Sequence, residues 1–431
     1  MTAPPDAADA RGVSRRAFLK SAVAIGGSAA LAACLDRESV DVPRGPEAPG
    51  AAGYPARQHA WNDVLARDDA GNAVQPRHHV LLLLDYGPDG EPTDADRTEM
   101  EEAFRSLERA YERSHEGLLL TASYAPAYFE RFGDSLPSSV DVPDPEALAP
   151  FEDPDLDTPD ALVHLASDHA KVVLGAEEAL RGETDERNGV SVRALPDALS
   201  VSERRTGFVG AGLPADNQDV IGVPDSEPVP EDSPLYMGFK SGFEGNQASE
   251  DRVTIGEGPF APGTTVHLSK IRLNLTQWYE QDDRYQREAK MFCPHHAKND
   301  TVEGVGENLG TDTGMDDCEA PEESARNDGV VGHSQKMAAV REDDGPLILR
   351  RDFDSTDDGE AGLHFLSLQS SVSAFVETRE AMNGSDISED SAVGQRTNNG
   401  ILQYMNVKRR GNYLMPPRSL RALPPAAPGE N

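Results

Sequence analysis

The sequence predicts an α+β protein in which one unit of antiparallel strands and packed helices occurs twice. A strand, a polar cap and a helix follow one another in ALVHLASDHAKVVLGAEEAL, residues 161–180, and again in AGLHFLSLQSSVSAFVETREAM, residues 361–382. The opening strand, HHVLLLLDY at residues 78–86, has a counterpart in TTVHLSKIRLNLTQWYEQ at residues 264–281. Repetition in the same order indicates a duplication. Tandem strands without regular βαβ alternation favour antiparallel sheets over a doubly wound fold.

The elements of the first unit follow from their apolar patterns. Residues 78–86 form a continuous apolar run of strand length. A helix follows, with Thr93 or Asp94 as its N-cap. Its predicted buried face consists of Met100, Phe104, Leu107 and Tyr111. GLLLTASYAPAYFERFG, residues 117–133, adds a second strand and a short helix.

The repeated segment contains the second helix of each unit. In the first copy, Ser167 or Asp168 is the predicted cap. The predicted buried stripe of that helix is Val172, Val173, Ala176, Ala179 and Leu180. The corresponding residues of the second copy are Val372, Phe375, Val376 and Met382. His164 and His364 occupy equivalent positions in the two strands, where packed core histidines are expected.

Length and composition divide the chain into five parts. A chain of 431 residues is too long for one small core, and the turn-rich stretch at 215–233 separates the two units. The predicted parts are an export signal at 1–34, a disordered linker at 35–76, an N-terminal domain at 77–220, a C-terminal domain at 221–410 and a disordered tail at 411–431.

The chain is strongly acidic. Its formal net charge is -36, with 76 acidic residues against 40 basic ones. Such a surface repels phosphates, so nucleic acid is excluded as a partner. A surface dense in Asp and Glu is typical of proteins from salt-loving archaea, in which high ionic strength screens the repulsion between charges.

The N-terminus has the pattern of a twin-arginine export signal. Arg15 and Arg16 precede Phe18 and the apolar run AVAIGGSAALAA, which is too short to span a bilayer. The run ends at Cys34 in a sequence that looks like a lipobox, so Cys34 is expected to be lipidated, with a free or disulfide-bonded Cys34 as the alternative. The sequence thus predicts an exported protein that is anchored to the outer face of the membrane.

Two further cysteines lie in the second unit. Cys293 and Cys318 could form a disulfide outside the cell. His295 and His296 lie next to Cys293, which gives the group the chemistry of zinc or copper ligands. The spacing is irregular for a structural zinc site, so the disulfide is preferred over the metal.

One histidine of the second unit is followed by a basic cluster. His333 comes directly after Gly332. The basic residues that follow are Lys336, Arg341, Arg350 and Arg351. A neutral imidazole can bind haem iron on one side and leave the other side open, and basic residues suit the two haem propionates. The alternative is that His333 is a surface or packed core residue.

Several stretches, taken in order, resemble the DyP-type (dye-decolorizing) haem peroxidases, a family that includes exported deferrochelatase/peroxidase proteins. The second half contributes MGFKSGFEGN, TTVHLSKIRLNLTQWYEQ, QREAKMFCPHH, the segment around His333, LILRRDFD and AGLHFLSLQ. The first half contributes GLLLTASYAPAYFERFG and ALVHLASDHA. The likeness spans about residues 77–385. It implies a pair of ferredoxin-like α+β domains, with haem b bound by the second.

The resemblance also implies roles for individual residues. His333 would be the proximal ligand of the haem iron, and Lys240, Lys336 and Arg341 would help to hold the cofactor. Arg351, with Arg350 as the neighbouring alternative, would stabilise the charge that develops when the O–O bond of peroxide breaks.

The two arginines have an alternative explanation. They could end a surface strand and pair with Asp352 and Asp354. Without the family resemblance, this explanation would be preferred.

The sequence departs from the family pattern at one position. The family has an Asp just before the second Gly of its glycine-flanked motif, whereas Ser241 precedes Gly242 here. Serine is unsuited to taking up and returning a proton near neutral pH. Glu244 is the nearest carboxylate that could replace the Asp, although a solvated loop acid is its simpler role.

The predicted function is an exported haem protein that reduces peroxide with small-molecule reductants or handles haem iron. Because of Ser241, one alternative is a haem- or iron-binding surface lipoprotein without turnover. A second alternative is a surface lipoprotein that has kept the fold and lost the cofactor. The sequence leaves open whether the chain forms a homo-oligomer.

Overall fold

A computed structural model of the protein describes residues 41–48, 54–341, 345–389 and 391–429. The strands are β1 (Ala66–Arg67), β2 (Ala73–Val74), β3 (His78–Tyr86), β4 (Leu119–Tyr124), β5 (Asp155–Leu156), β6 (Ala161–Ser167), β7 (Glu186–Arg187), β8 (Val190–Ser191), β9 (Leu199–Phe208), β10 (Thr264–Leu273), β11 (Leu349–Arg350), β12 (Phe353–Ser355), β13 (Gly362–Gln369) and β14 (Met405–Met415). The α-helices are α1 (Asp94–Ala110), α2 (Pro126–Phe129), α3 (Ala170–Leu180), α4 (Leu213–Asp216), α5 (Leu275–Glu280), α6 (Arg284–Met291), α7 (Pro294–Lys298), α8 (Pro321–Asn327), α9 (His333–Ala338), α10 (Val372–Asn383) and α11 (Ser385–Glu389). Short 3₁₀ helices lie at Asn62–Val64, Glu244–Asn246, Glu307–Leu309, Met315–Asp317, Asp357–Gly359, Leu402–Tyr404 and Arg418–Leu420.

The first half contains a four-stranded antiparallel sheet in the order β9-β3-β6-β4. In chain order these are the fourth, first, third and second strands of the unit, with α1 after the first strand and α3 after the third. This arrangement is a ferredoxin-like unit. One face of the sheet packs on both helices in a single core. The side chains at this contact include Val80, Leu82, Leu84, Met100, Phe104, Leu107, Val172, Val173 and Ala176.

The second half repeats the order of the first. Its strands follow the sequence β14-β10-β13-β12, again fourth, first, third and second, and all neighbours are antiparallel. The short strand β11 also pairs with β13. The predicted duplicated α+β fold is therefore confirmed.

The two sheets join at both ends into one ten-stranded sheet, in which β5 is a short parallel edge strand. Asp354 pairs with Phe208 at one junction, and Leu414 pairs with Tyr124 at the other. Between the sheets lies an inner core to which both halves contribute. It includes Leu81, Leu83, Leu162, Val266, Leu268, Leu366 and Leu368. Strand β3 is buried on both faces, which explains its unbroken apolar run.

Local side-chain contacts decide where the two first-half helices begin. Helix α1 starts after Thr93, whose side chain and that of Asp96 form a capping box. Helix α3 starts at Ala170 with His169 as its N-cap. The predicted cap Asp168 is engaged elsewhere, since its carboxylate accepts hydrogen bonds from the backbone N–H of Arg77 at 3.1 Å and from His115 Nδ1 at 2.6 Å.

The predicted disordered tail at 411–431 is wrong for the residues that the structure describes. Strand β14 runs through residue 410 to Met415, and Leu423 is fully buried. The N–H of Leu423 donates to Tyr124 Oη at 2.7 Å, and Arg421 pairs with Glu101 at 2.9 Å. The Pro-rich segment is held by contacts with the first half, which local composition does not reveal.

The predicted disordered linker at 35–76 is also too long. In its described part, Trp61 is only 2% exposed. The amide side chain of Gln58 acts as an extra peptide group beside strand β4, because its Nε2 donates to Ala122 O at 3.0 Å and its Oε1 accepts from Ala122 N at 2.9 Å. Residues 54–76 therefore belong to the folded unit.

The helices of the described ranges are short or amphipathic. None of the helices found there has both the length and the apolar character that are needed to cross a bilayer.

Candidate functional site

A cavity of about 210 Å³ lies against the second sheet, on the face turned away from the inner core. Alternation along the strands separates the two faces, so that side chains of one parity reach the cavity and those of the other reach the core. The sheet contributes Ser269, Ile271, Leu273, Leu363, Phe365, Met405 and Val407 to the lining. Helices α9 and α10 and the loop at 237–246 complete much of the wall. The lining is mainly apolar and aromatic, as in pockets for planar organic ligands.

His333 lies in the wall of this cavity, where the sequence places a metal ligand. It is the first residue of α9, and the Gln335 side chain accepts a hydrogen bond from the N–H of Gly332 at 3.0 Å. Gly332 packs so closely on Phe292 that a Cβ atom would collide with the carbonyl oxygen of Phe292. The tight packing of Gly332 therefore fixes the start of the helix and the position of His333.

The imidazole of His333 is neutral at physiological pH. Burial, followed by the positive charges of Arg350, Lys336 and Arg379, lowers its pKa to about 3. Its Nδ1 atom is buried and has no hydrogen-bond partner among the described residues. A neutral imidazole beside a cavity can use a nitrogen lone pair to bind a metal.

Arg350 and Arg351 lie on different sides of the second sheet. Arg350 lines the cavity that His333 borders. Arg351 does not line it and instead points to a small cavity of about 10 Å³ among His59, Trp61 and other residues of the inner face. Its guanidinium group lies 4.4 Å from the Trp61 ring centroid and pairs with Glu250 at 2.9 Å. Arg351 therefore does not border the cavity that the predicted distal role requires, whereas the alternative, Arg350, does border it.

The side chain of Arg350 has no ion-pair partner among the described residues, although its backbone N–H donates to Gln247 Oε1 at 2.9 Å. Other cations around the cavity do have partners. Lys240 pairs with Asp68 at 2.5 Å, and Arg341 donates to Asn246 Oδ1 at 2.6 Å. Of the cations that line the cavity, Arg350 and Arg396 have no ion-pair partner among the described residues, and Arg396 is engaged by backbone carbonyls.

The cavity has an excess of positive charge in a strongly negative chain. Six basic side chains line it, namely Lys240, Arg341, Arg350, Arg379, Arg396 and Arg410. Three acidic side chains line it, namely Glu152, Asp352 and Asp354. Glu152 is already paired with Arg410 at 2.7 Å and with Arg379. The lining therefore favours a ligand that carries negative charge.

Ser241 also lines the cavity. It belongs to a loop in which Gly238 and Gly242 have φ values of 81° and 79°. These backbone conformations favour glycine, and a Cβ atom at Gly238 would come within 2.8 Å of Tyr279 Oη. The two glycines allow the tight loop that brings Ser241 to the wall.

Two predicted residues are not part of the lining. Glu244 is exposed and lies 3.5 Å from Arg67, so it does not replace the missing Asp at position 241. Lys336 is buried behind the wall, where its ammonium group donates to Asn399 Oδ1 and to Met382 O, each at 2.5 Å. Its pKa is lowered to about 7, first by burial and then by Arg379. Lys336 thus anchors α9 to the segments around Met382 and Asn399.

The sequence indicated the two carboxyl groups that follow Arg350 only as surface ion-pair partners of the arginines, and not as part of a cavity. Asp352 and Asp354 follow Arg350 at intervals of two residues and line the same cavity. Burial raises the pKa of Asp354 well above its usual value, so this carboxyl group holds its proton more tightly than an exposed Asp does. The alternation Arg-x-Asp-x-Asp in an extended segment is the signal that could have found them.

Other lining cations had no clear signal in the sequence. Arg379 and Arg410 come from α10 and β14, and Arg396 comes from a loop. Arg396 donates to backbone carbonyls at Leu402 and Met405, at 3.0 and 2.7 Å. Their convergence depends on the tertiary fold.

Cys293 and Cys318 form a disulfide. Arg15, Arg16 and Cys34 lie outside the described residues, so the export and lipidation predictions stay predictions.

The sequence and the fold were compared with known proteins. The model of DUF7405, a family of unknown function, matches residues 76–417. No curated protein sequence matches the chain. The chain is similar in structure to the encapsulated DyP-type peroxidase from Mycobacterium smegmatis, with 16% identity, coverage of 83% of this chain and 97% of that one, and a TM-score of 0.56.

Two further structures give the same result. DtpA from Streptomyces lividans is 18% identical over 80% of this chain and 90% of its own, with a TM-score of 0.54. A variant of DypB from Rhodococcus jostii RHA1 in complex with heme is 14% identical over 86% of this chain and 99% of its own, with a TM-score of 0.52. At these identities the likeness establishes a shared fold. The chain belongs to the DUF7405 family and has the fold of the DyP-type peroxidases.

Proposed function

We propose that this protein binds haem b in the cavity beside His333 and reduces peroxide there with small-molecule reductants. The observation that carries the proposal is a neutral, buried imidazole in the wall of a mainly apolar cavity with an excess of basic side chains. Haem has an apolar ring, an iron that binds imidazole and two anionic propionates. The residues present match all three parts.

The chemistry of the donor set supports the fit. His333 would supply the iron ligand, since its pKa of about 3 keeps it neutral. Basic residues of the lining, among them Arg341 and Arg396, would hold the propionates through charge-assisted hydrogen bonds. Bound haem would supply the redox-active iron at which peroxide is reduced.

Arg350 and the carboxyl groups near it would stabilise the charge that develops on peroxide and transfer the proton that the reaction requires. The guanidinium of Arg350, which has no ion-pair partner among the described residues, would stabilise negative charge on the departing oxygen of peroxide. Asp354 holds its proton more tightly than an exposed Asp does, because burial raises its pKa. Asp352, two residues from both, is a carboxylate that could accept a proton in place of the family Asp that Ser241 replaces.

Reconstitution with haemin tests the proposal directly. Purified protein in high salt should bind one haemin with a Soret band, and His333→Ala should lose that band or shift it strongly. The matched control is His295→Ala, because His295 is an exposed residue outside the cavity. Unchanged haemin affinity and spectrum in His333→Ala would contradict the assignment.

Turnover is tested separately on the haem-loaded protein. Peroxide-dependent oxidation of a dye should occur in the wild type and should be lost in Arg350→Leu while the Soret band is retained. Oxidation no faster than with free haemin would reject the catalytic half of the proposal.

A second candidate function is haem or iron binding without turnover. Two observations favour it. The first is that Ser241 lacks the acid–base chemistry of a carboxylate. The second is that His333 Nδ1 has no hydrogen-bond partner among the described residues. Histidines that bind a metal usually donate their second N–H to a carboxylate or a carbonyl. Stoichiometric haem binding with no peroxide-dependent oxidation would select this function.

We also propose that the protein is exported by the twin-arginine pathway and anchored by lipid at Cys34, as its N-terminal sequence suggests. Replacing Arg15 and Arg16 by Lys should retain the protein inside the cell. Cys34→Ser should release it from the membrane fraction into the medium. Membrane association that is unchanged in Cys34→Ser would reject the anchor.

A further inference from the structure

A cluster behind the cavity wall combines two sulfur atoms with a buried imidazole. The Nδ1 atom of His296 lies 3.0 Å from Cys293 Sγ and 3.3 Å from Cys318 Sγ. His296 is 2% exposed, and one ligand atom from each of the three residues lies within 4.8 Å of the others. None of the three residues lines the cavity that His333 borders.

The hydrogen bond on the far side of the ring fixes the tautomer of His296. Its Nε2 atom lies 2.7 Å from the carbonyl oxygen of Thr313, which can only accept a hydrogen bond. Nε2 therefore carries the proton, and the neutral ring directs the lone pair of Nδ1 at the two sulfur atoms.

This arrangement suits a metal site better than it suits a disulfide. Neither sulfur of a disulfide has a proton to donate, so the Nδ1 lone pair gains no hydrogen bond from them. In a metal site the same lone pair and two thiolates are ligands. The bond from Nε2 to a backbone carbonyl is the usual way in which a ligating histidine is oriented.

The distances between nitrogen and sulfur require little movement. With zinc at about 2.3 Å from sulfur and about 2.1 Å from nitrogen in a tetrahedral site, each N···S separation is about 3.6 Å. The observed separations of 3.0 and 3.3 Å would therefore lengthen by less than about 1 Å. The two sulfur atoms would move apart to about 3.8 Å once the bond between them is broken.

We propose that Cys293, His296 and Cys318 form a redox-gated metal site that binds Zn²⁺ once their disulfide is reduced. A reductant of the dithiol class supplies two electrons and two protons. The S–S bond breaks, two thiols form, and the reductant becomes a disulfide. Zn²⁺ then displaces both thiol protons and is bound by two thiolates and Nδ1 of His296, with a water molecule as a fourth ligand. A disulfide of the same class reverses the step: it takes two electrons from the thiolates and two protons from water and becomes a dithiol, while the bond between Cys293 and Cys318 forms again and Zn²⁺ is released.

The experiment uses the full chain, with Co²⁺ as an optical probe for Zn²⁺. The protein is reduced without air by a phosphine, desalted and titrated with Co²⁺. We expect one Co²⁺ per chain with a thiolate-to-cobalt absorption band, displacement by one Zn²⁺, and no band for the oxidised protein. Cys293→Ser should abolish the band, and His296→Ala should weaken Co²⁺ binding more than about tenfold. His295→Ala is the matched control and should bind normally.

Three results would overturn the proposal. One is a reduced chain that gives no thiolate band with Co²⁺. Another is unchanged affinity in His296→Ala, because the thiols would then bind metal without the site. The third is loss of the native circular dichroism both in the reduced wild type and in the untreated double variant Cys293→Ser/Cys318→Ser, because the disulfide would then be needed for the fold. Haem does not enter any of these measurements.

Discussion

Arg350 and Arg351 are neighbours in the chain but lie on opposite sides of the second sheet. Arg350 borders the cavity with His333, whereas Arg351 is 2% exposed on the inner face and pairs with Glu250. Successive side chains of an extended segment point to opposite faces. One residue of the pair is thus free to act on a ligand, while the other is a buried part of the inner core.

The two arginines should therefore differ in the effect of the same substitution. Arg350→Leu should keep the stability of the fold and lower the peroxidase kcat about 10²- to 10³-fold, because it removes a group that stabilises developing charge. Arg351→Leu should lower the free energy of unfolding by about 3 kcal/mol, since it leaves Glu250 partly buried without its cation. Urea unfolding and dye oxidation, measured on both variants, check the difference. Equal loss of stability in the two would show that they do not have separate roles.

Ser241 should be the position at which peroxidase activity can be raised. Ser241→Asp would place a carboxylate on the cavity wall and should raise peroxide-dependent turnover about 10²-fold, the usual size of general acid–base catalysis. Asp352→Asn should lower the turnover of the wild type, because it removes the carboxylate nearest in sequence to Arg350.

Steady-state kinetics on haem-loaded protein measure both effects. Ser249→Asp, a substitution of an exposed serine, is the control for added negative charge. If Ser241→Asp binds haem normally and its turnover stays at the wild-type level, then the lack of an Asp at this position does not limit the reaction.

The strands and helices could be predicted because their signals are local. The apolar run of β3 and the buried stripe of α3 reflect burial of the same residues in the structure. The duplication was visible because the two units keep the same order of elements. The side of the sheet that Arg351 faces could also have been predicted from the alternation of side chains. Leu349 and Phe353 are apolar, point to the same side as Arg351 and belong to the inner core.

The remaining features depend on contacts between distant parts of the chain. Arg421 lies in a segment whose Pro-rich composition indicates disorder, but its ion pairs with Glu101 and Glu108 help to hold that segment against the first half of the protein. The cation excess of the cavity arises because α10, β14 and a loop each bring one arginine to it. No sequence period connects these positions.

Deletion of the C-terminal segment should destabilise the first half of the protein. Removing residues 418–431 would expose the apolar surface that Leu423 covers and would leave Glu108 without Arg418 and Arg421. We expect a loss of about 3–5 kcal/mol in the free energy of unfolding, as for a buried ion pair that loses one partner. Thermal and urea unfolding measure it. Deletion of residues 428–431 is the control, because it keeps Arg421 and Leu423. Equal stability of the two deletions would contradict the contacts described above.

The free energy of unfolding should decrease as the pH is lowered, because the fold buries neutral histidines. Burial, followed by the charge of Arg351, lowers the pKa of His164 to about 3, whereas an unfolded histidine has a pKa of about 6.5. Below pH 6.5 the unfolded chain takes up a proton that the folded chain does not, so this contribution to stability is present above about pH 6.5 and is lost as the pH falls toward 3.

His164→Gln removes this titration. The slope of the free energy of unfolding against pH should therefore be smaller in the variant, by up to about 1.4 kcal/mol per pH unit between pH 4 and 6. Urea unfolding of both proteins at a series of pH values and constant salt measures the difference, in which the titrations common to both proteins cancel. Parallel curves for the two proteins would show that His164 is protonated in the folded state, or that its imidazole does not remain buried.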